Sequence, residues 1–263
     1  MTLTFAFGIP IDNDSAREFY NIVPIAWKNK MPETETPTKL QVLIVGSGKL
    51  ARELLENLAS PHIHSVLPWA ERETSWSGRR IVVHAGSGRE IPDVLSYCAR
   101  HQLVLIELAT TGALTGVAPS FPVVVCANTN MLMLKFMAML HAQGHLFAGY
   151  DIRVLESHQA SKKSAPGTAI SLARALNVPT EEIVSVRDPL AQEQLGIPAR
   201  HHARHAYHHI TITDGTVELV LETKVLGQAP YAAGLAAIVD AVRTRSLEPR
   251  TYDVLELIHN GWL

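Results

Sequence analysis

The sequence of 263 residues has few cysteines, few aromatic residues, almost no excess of charge of either sign and no long apolar run. The two cysteines, Cys98 and Cys126, form no motif and no disulfide framework, which predicts a protein of the reducing cytoplasm. A net charge of −2 argues against nucleic acid or an anionic membrane as a partner. Charged residues such as Glu107 and Lys135 interrupt the apolar runs, and the N-terminus lacks a basic region, so neither a membrane span nor a signal peptide is expected.

Strand and helix patterns alternate from Leu40 onward. The run LQVLIVGSG is apolar and β-branched and ends in glycines, as buried parallel strands do, and KLARELLENLA follows with helical spacing. Further strands are predicted in IHSVLPWAERE, RRIVVHAGSG, LVLIELATTG and FPVVVCANTN, and further helices in IPDVLSYCARHQ and MLMLKFMAMLHAQGH. This alternation predicts the α/β class, a Rossmann-type doubly wound parallel sheet with helices on both faces.

The pattern changes after about Tyr150. Four partly alternating runs, DIRVLESH, EEIVSVRD, YHHITITDG and VELVLETKV, predict strands, and TAISLARALN predicts a helix among them. Asp214-Gly215 between two such runs is typical of a hairpin. A second α+β domain with a mixed or antiparallel sheet is therefore expected, and its uncovered face predicts a homo-oligomer. The helix YAAGLAAIVDAVRTR and a short tail end the chain.

The first chemical motif is GSGKLA, residues 46–51, between a strand and a helix. In a dinucleotide-binding turn, Gly46 would permit the tight bend and Gly48 the close approach of a pyrophosphate to the helix N-terminus. Glu71 lies twenty residues further on, where an acid binds ribose hydroxyls, and Arg72 suits a 2′-phosphate. The alternative is an ordinary turn with a surface Glu-Arg pair. The predicted cofactor contacts here are Gly46, Gly48, Lys49, Leu50, Glu71 and Arg72.

Two more loops follow predicted strands and should lie at the same edge of the sheet. They are residues 86–89, which begin at Gly86, and residues 109–112, which read ATTG. Small and hydroxylated residues there suit a flat nicotinamide ring, although each loop alone is also ordinary loop chemistry. Gly86, Ala109, Thr110 and Thr111 are therefore candidate cofactor contacts.

The stretch ESHQASKKSAPGTA, residues 156–169, combines an acid-base group, cations and a helix start. His158 is suited to proton exchange near neutral pH, and Lys162 can hold a carboxylate or donate a proton. The free amides of a helix that begins after Pro166 would bind an anion. A solvated basic loop with Thr168 as N-cap is the equally open alternative.

A group of histidines follows near residue 200 and could suggest a metal. Its members have no defined ligand spacing with cysteine or carboxylate partners, so no metal site is predicted. A histidine-rich loop at the substrate end of the second sheet is the preferred interpretation. The group consists of His201, His202, His205, His208 and His209.

Together these motifs resemble the dihydrodipicolinate reductase family over residues 40–263. The family signature E-x-H-H-x-x-K-x-D-A-P-S-G-T-A fits at Glu156, His158 and Lys162 and over residues 165–169. The ATTG loop is similar to the family's GTTG loop, Glu71-Arg72 to its acid-arginine pair, and Ala127-Asn128 to the loop that leads into its second domain. The closing YDVLELIHNGWL is also similar to the family's C-terminus.

The resemblance implies an NADH- or NADPH-dependent oxidoreductase that reduces a cyclic imine dicarboxylate on the diaminopimelate route to lysine, and a homotetramer formed through the mixed sheets. It implies Lys162 as the proton donor and His158 as its assistant. It adds Ala127 and Asn128 as cofactor contacts, and Gln159, Gly167 and Thr168 as substrate contacts. The domains it implies are residues 39–127 with 236–263 for the dinucleotide, residues 128–235 for substrate and oligomerisation, and residues 1–38 as an extension and linker.

The sequence also departs from the family. Gln159 replaces the second histidine of the signature, Ser164 replaces the aspartate, and the serine before Gly167 is missing. Gln228 stands where the family has an arginine near the substrate. The substrate is therefore left open, and two alternatives remain: a non-catalytic NAD(P)-binding protein with the same fold, and an NAD(P)-dependent amino acid dehydrogenase.

Overall fold

The first sheet of the computed structural model is parallel and six-stranded. The structure describes residues 39–109, 114, 118–162, 166–226 and 231–263; the predicted extension over residues 1–38 lies outside them. The order of strands in this sheet is β10-β5-β4-β3-β1-β2, with every pair parallel. Its strands are β1 (Leu40–Val45), β2 (Ile63–Pro68), β3 (Arg79–His84), β4 (Val104–Glu107), β5 (Val123–Val125) and β10 (Thr251–Asp253).

Apolar side chains cover both faces of this sheet, as the continuous apolar runs predict. Along β1, Val42 and Ile44 join one core cluster while Leu43 and Val45 join another on the opposite face. The first cluster contains side chains of α1 and the second contains side chains of α2, so helices lie on both faces and the doubly wound prediction is confirmed. The helices of this part are α1 (Lys49–Asn57), α2 (Ile91–His101), α3 (Met131–Gln143), α6 (Ala232–Arg243) and α7 (Val254–His259).

The second sheet has four strands in the order β7-β6-β8-β9. The β6–β7 pair is parallel and the other two pairs are antiparallel, so the predicted mixed sheet is confirmed. Its elements are β6 (Asp151–His158), α4 (Gly167–Ala175), β7 (Val184–Val186), α5 (Pro189–Gln194), β8 (His205–Thr213) and β9 (Glu218–Leu226). Short 3-10 helices cover Trp69–Glu71, Gly144–Phe147, Thr180–Glu182 and Ala199–His201.

The hairpin predicted at Asp214-Gly215 joins β8 to β9. Its loop has four residues, 214–217, instead of the two that the dipeptide favours. The Asp214 carboxylate accepts hydrogen bonds from the amides of Thr216 and Val217, both at 2.8 Å, and so closes the longer loop. Gly215 supplies the positive φ, +89°, that the turn needs.

Two local expectations were wrong. Glu71 lies in the 3-10 turn after β2 rather than in the strand, because β2 ends at Pro68. Thr168 does not cap α4: the helix begins at Gly167 after Pro166, and the buried Thr168 side chain points inward to Asn128. The short tail after α6 contains β10 and α7. Among the described helices, none has the length and apolarity needed to cross a bilayer.

Candidate active site

The turn from β1 to α1 has the geometry of a phosphate-binding turn. Gly46 has φ +127°, and a Cβ there would lie 2.7 Å from the carbonyl oxygen of Ala85 after β3, so only glycine fits. A Cβ on Gly48, by contrast, would have no neighbour within 4 Å. No side chain caps the start of α1, so its first amides remain available to an anion. The turn also lies between β1 and β3, where the strand order reverses and ligands of doubly wound sheets bind.

The Glu71-Arg72 pair lies at the end of β2, at the edge of the sheet. Glu71 is exposed, whereas Arg72 is engaged within the protein: Nη2 lies 3.3 Å from Asp93 Oδ2 of α2, and the guanidinium lies 4.6 Å from the centre of the Trp69 ring. The roles of both residues in cofactor choice stay predictions.

Replacing Arg72 by Ala is expected to weaken NADPH binding much more than NADH binding. The guanidinium is the cation that would meet a 2′-phosphate, while Glu71 would meet free ribose hydroxyls in either variant. The two dissociation constants can be measured by nucleotide fluorescence for wild type and variant. An unchanged ratio of NADPH to NADH affinity would contradict the assignment.

A buried pair that the sequence did not suggest supports the other two loops. His84, the last residue of β3, places Nδ1 2.7 Å from Glu107 Oε1 at the end of β4, and both side chains are buried. Glu107 Oε1 also accepts the amide of Ala109 at 2.7 Å and so holds the start of the ATTG loop. Gly86 must lack a side chain, because a Cβ would lie 2.8 Å from His84 Nε2. The candidates Thr110 and Thr111 lie outside the described residues.

A cavity of about 290 Å³ lies between the carboxyl edge of the first sheet and the second sheet. It brings together nine of the predicted site residues from distant parts of the chain. The nine are Lys49, Leu50, Ala127, Asn128, His158, Gln159, Lys162, Gly167 and Thr168. Six other described candidates do not line the cavity, namely Gly46, Gly48, Glu71, Arg72, Gly86 and Ala109.

His158 is oriented by a buried carboxylate. Glu156 is fully buried, and its Oε2 lies 2.7 Å from His158 Nδ1. Arg187 and Ser185 also donate hydrogen bonds to Glu156. Burial alone would raise the pKa of Glu156, but the hydrogen bonds from His158, Arg187 and Ser185 lower it to about 2. The ionised carboxylate accepts the Nδ1 proton, which leaves Nε2 of His158 to exchange a proton with a ligand in the cavity.

The segment that carries Lys162 is fixed through its backbone. The amide of Lys162 donates to the carbonyl of Gln159 at 2.9 Å, and the carbonyl of Lys162 accepts from Arg187 Nε at 3.1 Å. Gln192, buried on α5, donates to the carbonyl of His158 at 2.9 Å. Within the described ranges, no ion pair or hydrogen bond engages the Lys162 ammonium group, so it can serve a ligand.

The N-terminus of α4 completes this side of the cavity. Pro166 precedes the helix and provides no side-chain cap, so the amides of Gly167 and Thr168 have no partner within their own helix. Thr168 Oγ1 accepts a hydrogen bond from Asn128 Nδ2 at 3.1 Å, which joins α4 to the loop after β5. Lys162, Gly167 and Thr168 line the same cavity, and free amides at a helix N-terminus favour an anion.

The depressed pKa of Glu156 predicts a loss of stability in acid. A carboxyl group with a folded pKa of about 2 contributes stability above its unfolded value near 4.5, and loses it as the pH falls toward 2. The wild type should therefore lose a few kcal/mol of unfolding free energy between about pH 4.5 and 2 that Glu156→Gln does not lose. Urea unfolding across this pH range would measure it, and parallel curves for the two proteins would contradict the expectation.

The histidines near residue 200 do not assemble into a metal centre. His205 lines the cavity, donates from Nδ1 to the carbonyl of His201 at 3.0 Å and accepts from Ser157 Oγ at 2.9 Å. Burial lowers the pKa of His208 to about 4, so that ring is neutral at physiological pH. Among the described residues, no group of three His, Cys, Asp or Glu side chains is placed to hold a metal.

Several residues that line the cavity or hold its surroundings in place gave no signal in the sequence. Glu53, Arg187, Gln192 and Arg204 act through contacts across the fold, and no local motif surrounds them. The histidine-rich composition near residue 200 pointed to this part of the second sheet, and His205 lines the cavity; its position at a substrate end stays a prediction.

Comparison with known proteins gives a consistent result. Residues 130–258 match the family model described as dihydrodipicolinate reductase, C-terminus. The chain is 40% identical over 126 residues to 4-hydroxy-tetrahydrodipicolinate reductase 2, chloroplastic, of Arabidopsis thaliana. This alignment covers 44% of this chain and 36% of that protein. The match thus spans little more than a third of that relative. The 4-hydroxy-tetrahydrodipicolinate reductase of an Exiguobacterium species is 25% identical over 228 residues, 78% of this chain and 91% of that one.

The fold also resembles a solved structure. Dipicolinate-bound dihydrodipicolinate reductase from Paenisporosarcina sp. TG-14 aligns with a TM-score of 0.57 and 13% identity over 82% of this chain and 98% of that one. A parallel sheet with a glycine turn, joined to a mixed sheet across a cavity, defines a two-part Rossmann-type protein. Within that class, the family model and the relatives confirm the resemblance to the dihydrodipicolinate reductase family that was seen in the sequence.

Proposed function

We propose that the protein is an NADH- or NADPH-dependent reductase of a C=N bond in a cyclic imine or a related imino or amino acid. The observation that carries this proposal is the composition of one cavity. Lys49 and Leu50, from the glycine turn, line it together with His158, Lys162 and the start of α4. Its relatives are named 4-hydroxy-tetrahydrodipicolinate reductase, which supports a reaction of that type, on the diaminopimelate route to lysine.

The residues present fit a dinucleotide. Gly46 permits the bend before α1, Gly48 leaves space there for a ligand, the first amides of α1 have no side-chain cap, and Lys49 adds a positive charge. We assign the diphosphate to this turn, the adenosine ribose to Glu71, and the nicotinamide to Ala109, Ala127 and Asn128. Bound NADH or NADPH would supply the hydride.

The chain's own residues would hold the substrate and supply a proton. The amides of Gly167 and Thr168 bind a substrate carboxylate beside Gln159. Lys162 donates the proton that completes reduction of the C=N bond to CH–NH. His158, held through Nδ1 by Glu156, assists from Nε2 and keeps the local charge balanced.

A non-catalytic NAD(P)-binding protein would keep the glycine turn and lose the proton-donating groups. His158 and Lys162 both line the cavity, and Arg187 and Glu156 hold their surroundings through hydrogen bonds. This arrangement supports catalysis over binding alone. An amino acid dehydrogenase would use the same groups on an open-chain substrate, so the substrate test includes that class.

The proposed function can be tested by following oxidation of NADH and of NADPH with cyclic imines, including the product of dihydrodipicolinate synthesis, and with keto acids plus ammonia. We expect turnover with a cyclic imine that carries a carboxylate. Binding of either cofactor without turnover of any imine or keto acid would support the non-catalytic alternative. Absence of binding of both cofactors would overturn the proposal.

We also propose a homotetramer formed through the mixed sheets. Apolar residues of the β8–β9 hairpin are exposed, with Leu219 at 45%, Val220 at 48% and Leu226 at 37%. A second copy would remove this surface from water. Sedimentation of wild type should give a tetramer, and Val220→Glu should dissociate it. A wild type that sediments as a monomer would contradict this. The cytoplasm stays a prediction; the Arabidopsis relative is named as chloroplastic.

A further inference from the structure

Arg204 is a third cationic side chain of the cavity. It lies in the turn between the 3-10 helix Ala199–His201 and β8, next to His205, which also lines the cavity. The lining contains Lys49, Lys162 and Arg204, and none of its described members is Asp or Glu. The lining therefore offers cationic hydrogen-bond donors to an anionic ligand.

The buried carboxylate of Glu53, on helix α1 of the first sheet, holds Arg204 in place. Glu53 on α1 is buried, and its Oε2 accepts a hydrogen bond from Arg204 Nη2. The other oxygen, Oε1, accepts the amide of Tyr231 at 3.0 Å. Glu53 lies one helical turn after Lys49, so Arg204 is fixed to the helix whose start we assign to the diphosphate.

Part of the guanidinium is left for a ligand. Only Nη2 is engaged, and Nε and Nη1 of Arg204 have no hydrogen-bond acceptor among the residues that the structure describes. A guanidinium offers five N–H donors in a planar fork that matches a carboxylate. Because Glu53 fixes the side chain beforehand, binding would cost little side-chain entropy.

The three cations lie on different elements, which separates their roles. Lys49 belongs to the diphosphate turn, and Lys162 lies beside the amides at the start of α4. Resting on the proposed function, we propose that Arg204 binds a second carboxylate of the substrate and makes the cavity selective for dicarboxylates over monocarboxylates. Arg204 is then a specificity-determining residue, and Glu53 is its positioning residue.

The test compares binding of pyridine-2,6-dicarboxylate with that of pyridine-2-carboxylate to the NADH complex of the full chain, by calorimetry. The wild type should prefer the dicarboxylate by about 10- to 100-fold, the value of hydrogen bonds to a charged group. Arg204→Gln should abolish the preference while leaving monocarboxylate affinity unchanged. Arg200→Gln is the matched control, because Arg200 is exposed and does not line the cavity.

Arg204→Gln leaves Glu53 buried without its cation and can destabilise the fold. The double variant Glu53→Gln with Arg204→Gln removes both charges and should lose the preference equally. If either folded variant keeps the wild-type preference for the dicarboxylate, the inference is overturned. It is also overturned if a variant binds NADH more weakly but prefers the dicarboxylate as the wild type does. Wild type that binds NADH but neither carboxylate also overturns it. Wild type that binds no NADH overturns the proposed function itself.

Discussion

Replacing Lys162 by Met is expected to reduce turnover by about a hundredfold to ten-thousandfold, the usual contribution of a positioned proton donor. The substitution keeps the length of the side chain and removes the charge and the proton. The backbone contacts of this residue to Gln159 and Arg187 do not use the side chain, so the turn should persist. NADH affinity should change little, since Lys162 lies on the α4 side of the cavity. Turnover of an identified imine and NADH binding are the two measurements.

Two further variants separate the roles. His158→Gln should cost less than Lys162→Met if His158 only assists. Lys135→Met is the matched control, because Lys135 is exposed on α3 and does not line the cavity. Full turnover by Lys162→Met would mean that residues 159–162 form a solvated basic turn. Loss of NADH affinity together with turnover would instead indicate a cofactor contact or misfolding.

Replacing Gly48 by Val is expected to abolish NADH and NADPH binding and leave the protein folded. A Cβ at this position meets nothing within 4 Å, and φ of −74° suits any residue, so the fold should tolerate the side chain. A bound pyrophosphate would occupy that space, and the valine would then collide with it. Nucleotide fluorescence measures the binding, and thermal unfolding measures the stability.

Gly46→Ala provides the contrast. It should destabilise the protein with or without cofactor, because φ is +127° and the new Cβ would lie 2.7 Å from the carbonyl oxygen of Ala85. The two glycines of the turn thus serve different purposes, one for the backbone and one for the ligand. If Gly48→Val bound nucleotide as the wild type does, the turn would not be a diphosphate site.

The sequence predicted those parts of the fold that depend on local pattern. β1 and α1 were found because an apolar run and helical spacing flank the glycines, and β8 and β9 because they alternate around Asp214-Gly215. β10 was missed because three residues, Thr251–Asp253, are too few to show a period, and only pairing with β5 makes them a strand. Thr168 was considered as the N-cap of α4, but the helix begins at Gly167. The Thr168 hydroxyl accepts a hydrogen bond from Asn128 instead of one from the helix amides, and no local pattern indicates that contact.

The same distinction applies to the site. His158 and Lys162 were predicted because the signature places them four residues apart. Glu53 and Arg204 are 151 residues apart, and no motif links an acid in a helix to an arginine in a distant turn. His84 and Glu107 meet because β3 and β4 pair in register, which a sequence pattern does not encode. Thr110 and Thr111 remain predictions.

The position of β10 constrains the order of folding. The chain leaves the first sheet after β5, completes the whole second sheet within residues 151–226, and returns only at Thr251 to pair with β5. On the ribosome, β5 therefore has an open edge until residues 251–253 emerge, while the strands β6, β8 and β9 are already available to pair. The second sheet can thus fold first, and the delayed closure exposes the edge of β5 to mispairing between nascent chains.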